Sequence, residues 1–401
     1  MKNKFQRMID RYLGIPLCAL LSLVSMIRKK TTPSSSPKKI LIILLSEMGS
    51  IVLAHPMFMR LKEKYPEASL YILSFSKNKE LITLLNVMPE ENILILDDGA
   101  FFNFLLGSIN MIRTLRSMSM DVVIDCELFS RVSSLLSYLS GAPRLVGFHR
   151  HTQEGLYRGT FINQAVTYNP YRHLTQQFLT MVDAIESAMV PSTKCAPIKE
   201  TYHPPLLPFS EEKRDVVFNE LHHHYPAIKH KKMVLIYPGG GLLPLRAWPI
   251  EQYCQLTAAL IDEDFAVGVI GLKEDQPLAQ RMVSSARSPY CIDLTGYTKS
   301  IMELLMLFHR ASLLITNDGG PGHLAALTTI PSIVFFGPET PILYKPLGKK
   351  VYPLYLSLPC SPCLTAYNHR TSPCDGDNQC LKRISLSQVL AKAREILAPP
   401  N

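Results

Sequence analysis

The feature that most constrains this chain is a pattern that occurs twice: short, uninterrupted apolar runs separated by helix-length stretches. In the first half the runs are Ile40 to Leu45 (ILIILL), Ser69 to Phe75, Asn92 to Leu96, Asp121 to Asp125 and Arg144 to Phe148, with a helical pattern from Ile51 to Tyr65 after the first. Strands that are apolar on both faces belong in parallel sheets covered by helices on both sides. Between about residues 190 and 230 the rhythm breaks at Pro191, Pro197, Pro204, Pro205 and Pro208, which read as a linker with a short helix. It restarts with runs at Met233 to Tyr237, Phe265 to Gly271, Ser312 to Thr316 and Ser332 to Phe336, and with helices at Pro249 to Asp262, Gln276 to Ala286, Ser300 to Arg310 and Pro321 to Thr328. The pattern predicts an α/β protein of two Rossmann-like, doubly wound domains, residues 40–205 and 206–401, behind a leader of residues 1–39. A body of about 360 residues is too long for one ordinary core. At 47% hydrophobic and 19% charged residues it is not generally disordered. Ligands of such sheets sit beyond the strands' carboxyl ends, so the chemistry is expected in the βα loops and in a cleft between the domains.

The net charge of +9 belongs mostly to the leader. Nine Lys and Arg residues against Asp10 alone fall within residues 1–39, which leaves the body close to neutral. A near-neutral body argues against a nucleic-acid partner, since phosphate binding needs a basic docking face. Within the leader, residues 12–27 (YLGIPLCALLSLVSMI) are uncharged and flanked by Arg7 and Arg11 on one side and Arg28-Lys29-Lys30 on the other. Sixteen helical residues reach about 24 Å, short of a hydrocarbon core of about 30 Å. No small-x-small cleavage site follows, and Pro16 after Gly14 offers a bend. The expectation is a hairpin or interfacial anchor on the inner leaflet, with both basic flanks cytoplasmic and Thr31 to Lys39 as a flexible tether. The alternative is an amphipathic helix docked on the protein's own body.

Four βα loops carry chemistry-bearing residues. The first is Ser46-Glu47-Met48-Gly49-Ser50, where Gly49 permits close backbone approach and Glu47 sets a carboxylate at the strand end, unless it is simply a solvated turn residue. The second runs from Pro238 through Gly239, Gly240 and Gly241 to Arg246 and Trp248, a set of exposed N–H groups and a guanidinium suited to an anionic ligand. The third is Thr316-Asn317-Asp318-Gly319-Gly320-Pro321-Gly322-His323, in which a helix start can take a diphosphate while Asp318 takes sugar hydroxyls or caps the helix. The fourth, Phe336 to Pro341, reads as a plain turn.

At these residues the sequence resembles glycosyltransferase family 9, the bacterial heptosyltransferases of lipopolysaccharide core assembly, over about residues 38–397. The resemblance rests on several stretches in order: KKILIILLSEMGSIVLAHPMFMRLKEKYPEASLYIL, DVVIDCELFSRVSSLLSYLSGAPRLVGF, IYPGGGLLPLRAWPIEQY, DLTGYTKSIMELL and SLLITNDGGPGHLAALTTIPSIVFFGP. It implies a GT-B fold and metal-independent, inverting transfer from a nucleotide-sugar, ADP-heptose above all, to a glycolipid acceptor at the cytoplasmic face of the inner membrane, with no cofactor. It also implies that Asp318, Gly319, Gly320 and His323 hold the donor's sugar and diphosphate, with Gly49, Gly239 and Gly240 lining the site. Arg246 stands where the family often has Lys, and Glu274 or Asp275 lies near the ribose. The family usually places an Asp base after the Gly of the first loop, whereas here that residue is Ser50. Glu47, three residues earlier, becomes the expected base, with Ser50 as a hydrogen-bonding neighbour. Two rival expectations remain: the same fold with a UDP- or GDP-hexose donor, and an inactive nucleotide-sugar-binding scaffold.

Five of the nine cysteines (Cys18, Cys126, Cys195, Cys254, Cys291) lie scattered in apolar or helical contexts as reduced core residues do. Cys360, Cys363, Cys374 and Cys380 form a C-x2-C-x10-C-x5-C pattern that offers four thiolates to a structural zinc, the alternatives being free thiols or redox-dependent disulfides. The three consecutive residues His222, His223 and His224 point different ways on a helix and read as a solvated face.

Overall fold

The computed structural model describes residues 3–27, 35–45, 47–128, 130–194, 202–241, 243–368 and 371–398. Ser46, Leu242, Cys195, the Arg28-Lys29-Lys30 flank and most of the tether lie outside the described residues. The chain divides into two units, residues 1–201 with 365–370, and residues 202–364 with 371–401.

Unit 1 holds the helices α1 (Asn3–Tyr12) and α2 (Gly14–Ile27), then β1 (Lys39–Ile43), α3 (Met48–Leu53), α4 (His55–Lys64), β2 (Ser69–Phe75), α5 (Lys79–Leu85) and β3 (Ile93–Leu96). It continues with α6 (Phe101–Met118), β4 (Val122–Asp125), α7 (Arg131–Leu139), β5 (Arg144–His149), β6 (Gln164–Thr167) and α8 (Leu174–Ala184). The six strands are parallel in the order β3-β2-β1-β4-β5-β6. This is the doubly wound order, with its switch point between β1 and β4. β1 is buried from Ile40 onward because helices cover both sheet faces, which explains its continuous apolar run. The single helix expected from Ile51 to Tyr65 is two, α3 and α4, because Pro56 lacks the N–H that would continue the first.

Unit 2 repeats the design. Its elements are α9 (Glu211–His224), β7 (Met233–Tyr237), α10 (Ile250–Asp262), β8 (Ala266–Gly271), α11 (Gln276–Ala286), β9 (Cys291–Thr295), α12 (Ile301–Arg310), β10 (Leu313–Asn317), α13 (Gly320–Ala325), β11 (Ser332–Phe336), α14 (Pro341–Tyr344), β12 (Val351–Tyr355), α15 (Gln379–Lys382) and α16 (Leu386–Leu397). The order β12-β11-β10-β7-β8-β9 is again parallel, with the switch point between β7 and β10. Edge strands β6, β9 and β12 escaped the sequence reading, since each is short and broken by polar residues or proline. Trp248 is not a loop ligand. It lies in the core, stacked on Phe335 at 4.9 Å between ring centroids, with its indole N–H donating to Ile384 O at 3.0 Å.

The leader is docked rather than folded into a hairpin. The break between α1 and α2 falls at Leu13, and Pro16 sits in the first turn of α2, where it costs little. Gly14, Cys18 and Ser22 face inward at a spacing of four, and small residues at that spacing let helices approach closely. A Cβ at Gly14 would stand 2.8 Å from the Arg131 Cβ. Asp10 accepts from the Arg131 backbone N–H at 2.8 Å and pairs with its guanidinium at 3.0 Å, and Ser22 Oγ accepts from Thr160 N–H at 2.9 Å. The opposite side of α2 exposes Leu17, Leu20, Leu23 and Val24, and Leu13 in the break before it is exposed too. The stretch Met8–Ile27 is by length and composition apolar enough to cross a membrane. One face of the leader is thus docked on the body, as the alternative expectation has it, and the other stays apolar and uncovered.

Candidate functional site

In a parallel sheet every strand delivers its following loop to the same end, and adjacent strands deliver adjacent loops. In unit 2 the order of loops across that end is therefore β11, β10, β7, β8. Those loops carry Glu339, Asp318, Arg246 and Asp275 in turn, and the first three side chains meet. Arg246 donates to Glu339 Oε2 at 2.6 Å, and its Nε stands 3.6 Å from Asp318 Oδ2. Arg246 is 12% exposed at the side chain, Asp318 6% and Glu339 2%. A separation of 3.6 Å is too long for a hydrogen bond, so Arg246 Nε and Asp318 Oδ2 are buried polar atoms with no hydrogen-bond partner. Burial, together with the neighbouring Glu339 carboxylate that bonds to it, pushes the Asp318 carboxyl up to about 8 against the pull of Arg246. Near neutrality the Asp318 carboxyl therefore favours its protonated, uncharged form beside Arg246.

The surrounding loops are held by backbone and amide contacts. Asn317, the last residue of β10, donates to the carbonyls of Pro238 at 3.0 Å and Gly239 at 2.9 Å, and its Oδ1 accepts from Trp248 N–H and Tyr253 O–H. Gly239 is needed for close approach: a Cβ there would stand 2.7 Å from both Asp275 Oδ1 and Tyr237 Oη. Asp275 accepts from Leu272 N–H at 2.9 Å, while Glu274 is exposed. At Gly319 and Gly320 an added Cβ would meet nothing within 4 Å, so open space lies beside that backbone. His323 is buried in α13. That helix has only six residues, so its dipole adds little, and most of the positive charge comes from Arg246.

The fourth loop is not a plain turn, because it supplies the buried Glu339. The cysteine segment braces it. Cys363 and Leu364 N–H groups both donate to Pro338 O at 2.9 Å, Ser361 Oγ donates to Gly337 O, and Asn378 donates to Leu245 O at 2.6 Å, next to Arg246. The zinc expectation finds no support. Among the described residues no group of three or more His, Cys, Asp or Glu is placed to hold a metal, and Cys360, Cys363, Cys374 and Cys380 are free thiols. Cys380 is buried under Gly337, whereas Cys374 is exposed and turned toward Asn378.

In unit 1 the switch point holds the first loop. The Leu45 N–H donates to Glu127 Oε1 at 2.6 Å and its carbonyl accepts from Asn78 Nδ2 at 2.9 Å, so the strand end is clamped from both sides. Glu127 is itself held by its N–H on Asp125 Oδ1 at 3.1 Å and by Arg158, which donates to its carbonyl and forms a buried ion pair with Asp125. Glu47 is the N-cap residue of α3. Its carbonyl, not its side chain, caps the helix by accepting from the Ser50 N–H at 3.0 Å. Glu47, Gly49 and Ser50 are half-buried on one turn. Glu127 and Asn78 went unread in the sequence, and Asn317 and Glu339, though within two of the loops singled out, were given no role. The available signal was their position at or just after a strand's carboxyl end.

The raised Asp318 carboxyl has a testable consequence. The folded protein keeps a proton between pH ~4 and ~8 that the unfolded chain releases, so stability falls as pH rises through that window. The site also gains a negative charge above about 8. The affinity of the site for an anionic probe such as inorganic diphosphate, measured calorimetrically, is expected to weaken between pH 7.5 and 9.5 by up to about one log unit per pH unit. A flat profile would show that Asp318 titrates elsewhere.

Residues 109–372 match the model of glycosyltransferase family 9 (heptosyltransferase). Lipooligosaccharide heptosyltransferase 2 of Haemophilus ducreyi is 24% identical over 321 residues, 78% of this chain and 87% of that protein. Lipopolysaccharide heptosyltransferase 2 of Escherichia coli K12 is 23% identical, with 90% and 98% covered. In fold, the chain is similar to the solved E. coli ADP-heptose lipopolysaccharide heptosyltransferase II, with a TM-score of 0.69 at 19% identity over 90% of this chain and 98% of that one. With two doubly wound units of identical strand order and a family match over most of its length, this chain belongs to glycosyltransferase family 9.

Proposed function

We propose that this protein is an inverting glycosyltransferase that moves a heptose from ADP-heptose to a lipopolysaccharide-core or related glycolipid acceptor. On this reading unit 1 takes the acceptor and unit 2 the donor. The observation that carries it is the cluster of Arg246, Asp318 and Glu339 beside the open backbone of Gly319 and Gly320. A buried guanidinium nitrogen and a buried carboxyl oxygen, both without hydrogen-bond partners, are what a diphosphate and a sugar hydroxyl would satisfy. The ADP-heptose in the name of the E. coli heptosyltransferase supports the choice of donor.

Transfer requires a group that takes the acceptor's proton and a group that takes the leaving diphosphate's charge. Glu47 removes the proton from the acceptor hydroxyl, and that oxygen attacks the anomeric carbon. The bond from that carbon to the diphosphate oxygen breaks, and ADP leaves with the electron pair. Arg246 stabilises the charge that develops on it, with His323 and the Gly319-Gly320 backbone beside it. Asp318 orients the sugar hydroxyls, Asp275 or Glu274 lies toward the ribose, and Gly239 and Gly240 shape the loop between. The leader places the protein at the cytoplasmic face of the inner membrane, where a lipid-linked acceptor resides.

The test is a thermal-shift titration with ADP-heptose and with UDP- and GDP-hexoses, followed by a transfer assay. A ligand at 100 times its Kd stabilises by about 2.7 kcal/mol, enough to rank donors. ADP-heptose is expected to rank first and to be consumed. Preference for a UDP- or GDP-sugar would change the donor, and binding without turnover would identify a scaffold.

A further inference from the structure

We propose that the outward faces of α6 and α2 form one lipid-docking surface, which seats the carboxyl end of the unit 1 sheet on an anionic bilayer. This rests on the membrane reading of the leader and adds a second, internal element to it.

Helix α6 is unusual for a helix covering a sheet. Of its 18 residues only Leu115 is fully buried, with Phe104, Met111, Ile112 and Met118 packed partly against the core. Its outer stripe runs Phe102, Leu105, Leu106 and Ile109, exposed at 74%, 46%, 61% and 41%. A soluble helix carries polar residues on that side. Farther along the same stripe, at the spacing of successive turns, come the exposed Arg113 and Arg116. Apolar residues at one end and arginines at the other match a helix that enters the acyl boundary while its cations lie among headgroups.

Helix α2 is the counterpart. Its small residues are spent on docking, so its large apolar side chains remain exposed. Neither helix contains an acidic residue, and Arg11 precedes α2. The two helices belong to the same face of the sheet. Cys18 and Leu21 of α2 and Phe104, Met111 and Leu115 of α6 join one core cluster with Leu136 of α7 and with Leu41 and Ile43 of β1. The chain path then fixes which end is apolar. Phe101 opens α6 just after the carboxyl end of β3, and Gly14 opens α2 against Arg131, which opens α7 after the carboxyl end of β4. The apolar start of α6 thus lies at the sheet end that carries Glu47, as does the start of α2, whose apolar side chains are exposed along its whole length. A bilayer seated there would present a glycolipid's sugar to Glu47 without withdrawing its acyl chains.

A protein partner would fit the apolar stripe, but the arginines outnumber the carboxylates beside it: Asp97 and Asp98 precede α6, against Arg113 and Arg116 on the stripe and Arg11 before α2, and this balance favours an anionic lipid surface. The experiment uses the full chain with vesicles of phosphatidylglycerol and phosphatidylethanolamine, with and without brominated acyl chains. In Phe102→Trp and Leu106→Trp the new indole reports on α6, while Trp248, 1% exposed in the unit 2 core, serves as an unquenched reference. The expected result is quenching of the new indole by brominated lipid. Phe102→Ser with Leu106→Ser should lower vesicle partitioning at least tenfold without changing the melting temperature. If the protein cosediments through its leader but neither indole is quenched, the α6 proposal is overturned and the leader reading stands. If no vesicle binding occurs, both fall. Equal binding to phosphatidylcholine vesicles would overturn the anionic requirement, and an unchanged partition with a changed oligomeric state would make the stripe a protein interface instead.

Discussion

Glu47→Gln is expected to lower heptose transfer by about 10²- to 10⁴-fold while leaving ADP binding intact, the loss that follows removal of a general base. The substitution keeps the side chain's size and a hydrogen-bonding oxygen but removes its basicity. Ser50, on the same turn, cannot take over, because a hydroxyl is not a base at neutral pH. Another carboxylate at this sheet end is Glu127, and its role differs: its Oε1 accepts the Leu45 N–H at 2.6 Å. Glutamine at 127 retains that acceptor, so Glu127→Gln should cost less than tenfold and show it mainly in acceptor KM. The pair of variants separates the roles. If Glu127→Gln carries the large loss and Glu47→Gln does not, the proton acceptor has been assigned to the wrong residue. Restoring the family's Asp by Ser50→Asp in the Glu47→Gln background should recover part of the rate if this turn is where the proton goes.

The fold was legible because its signal is local and repeated: apolar runs of five or six residues mark buried parallel strands wherever they occur. Two kinds of information were not local. The edge strands Gln164–Thr167 and Val351–Tyr355 are strands only because a neighbour pairs with them, and their composition does not announce it. The leader's docking face was hidden because Gly14, Cys18 and Ser22 read as part of an apolar run, and only the approach to Arg131 shows that small size is their function. The loops holding Glu47, Arg246 and Asp318 could be found from strand ends. The pairing of Arg246 with Glu339, 93 residues away, depends on strand order, which the sequence pattern leaves open. The late cysteines invited a metal reading by spacing, yet the segment is held by its backbone N–H groups on Pro338.

The same buried cluster gives the other large effect. Arg246→Met should reduce transfer by about 10²- to 10³-fold, as removal of a donor to a developing anion does. It should also destabilise the fold by about 3–5 kcal/mol, because it leaves Asp318 and Glu339 buried without their cation. The second effect depends on pH. Below about 8 its own proton already neutralises the Asp318 carboxyl, so the variant should melt closer to the wild type at pH 6 than at pH 8.5. Arg246→Met combined with Glu339→Met removes the buried pair and should regain most of the melting temperature, since apolar replacement of a buried ion pair is often neutral or stabilising. Turnover should not return, because the charge that faces the leaving group is still missing. A double variant that recovered transfer would mean that Arg246 serves only the fold. A single variant whose melting temperature relative to wild type did not depend on pH would mean that Asp318 does not hold a proton near neutrality.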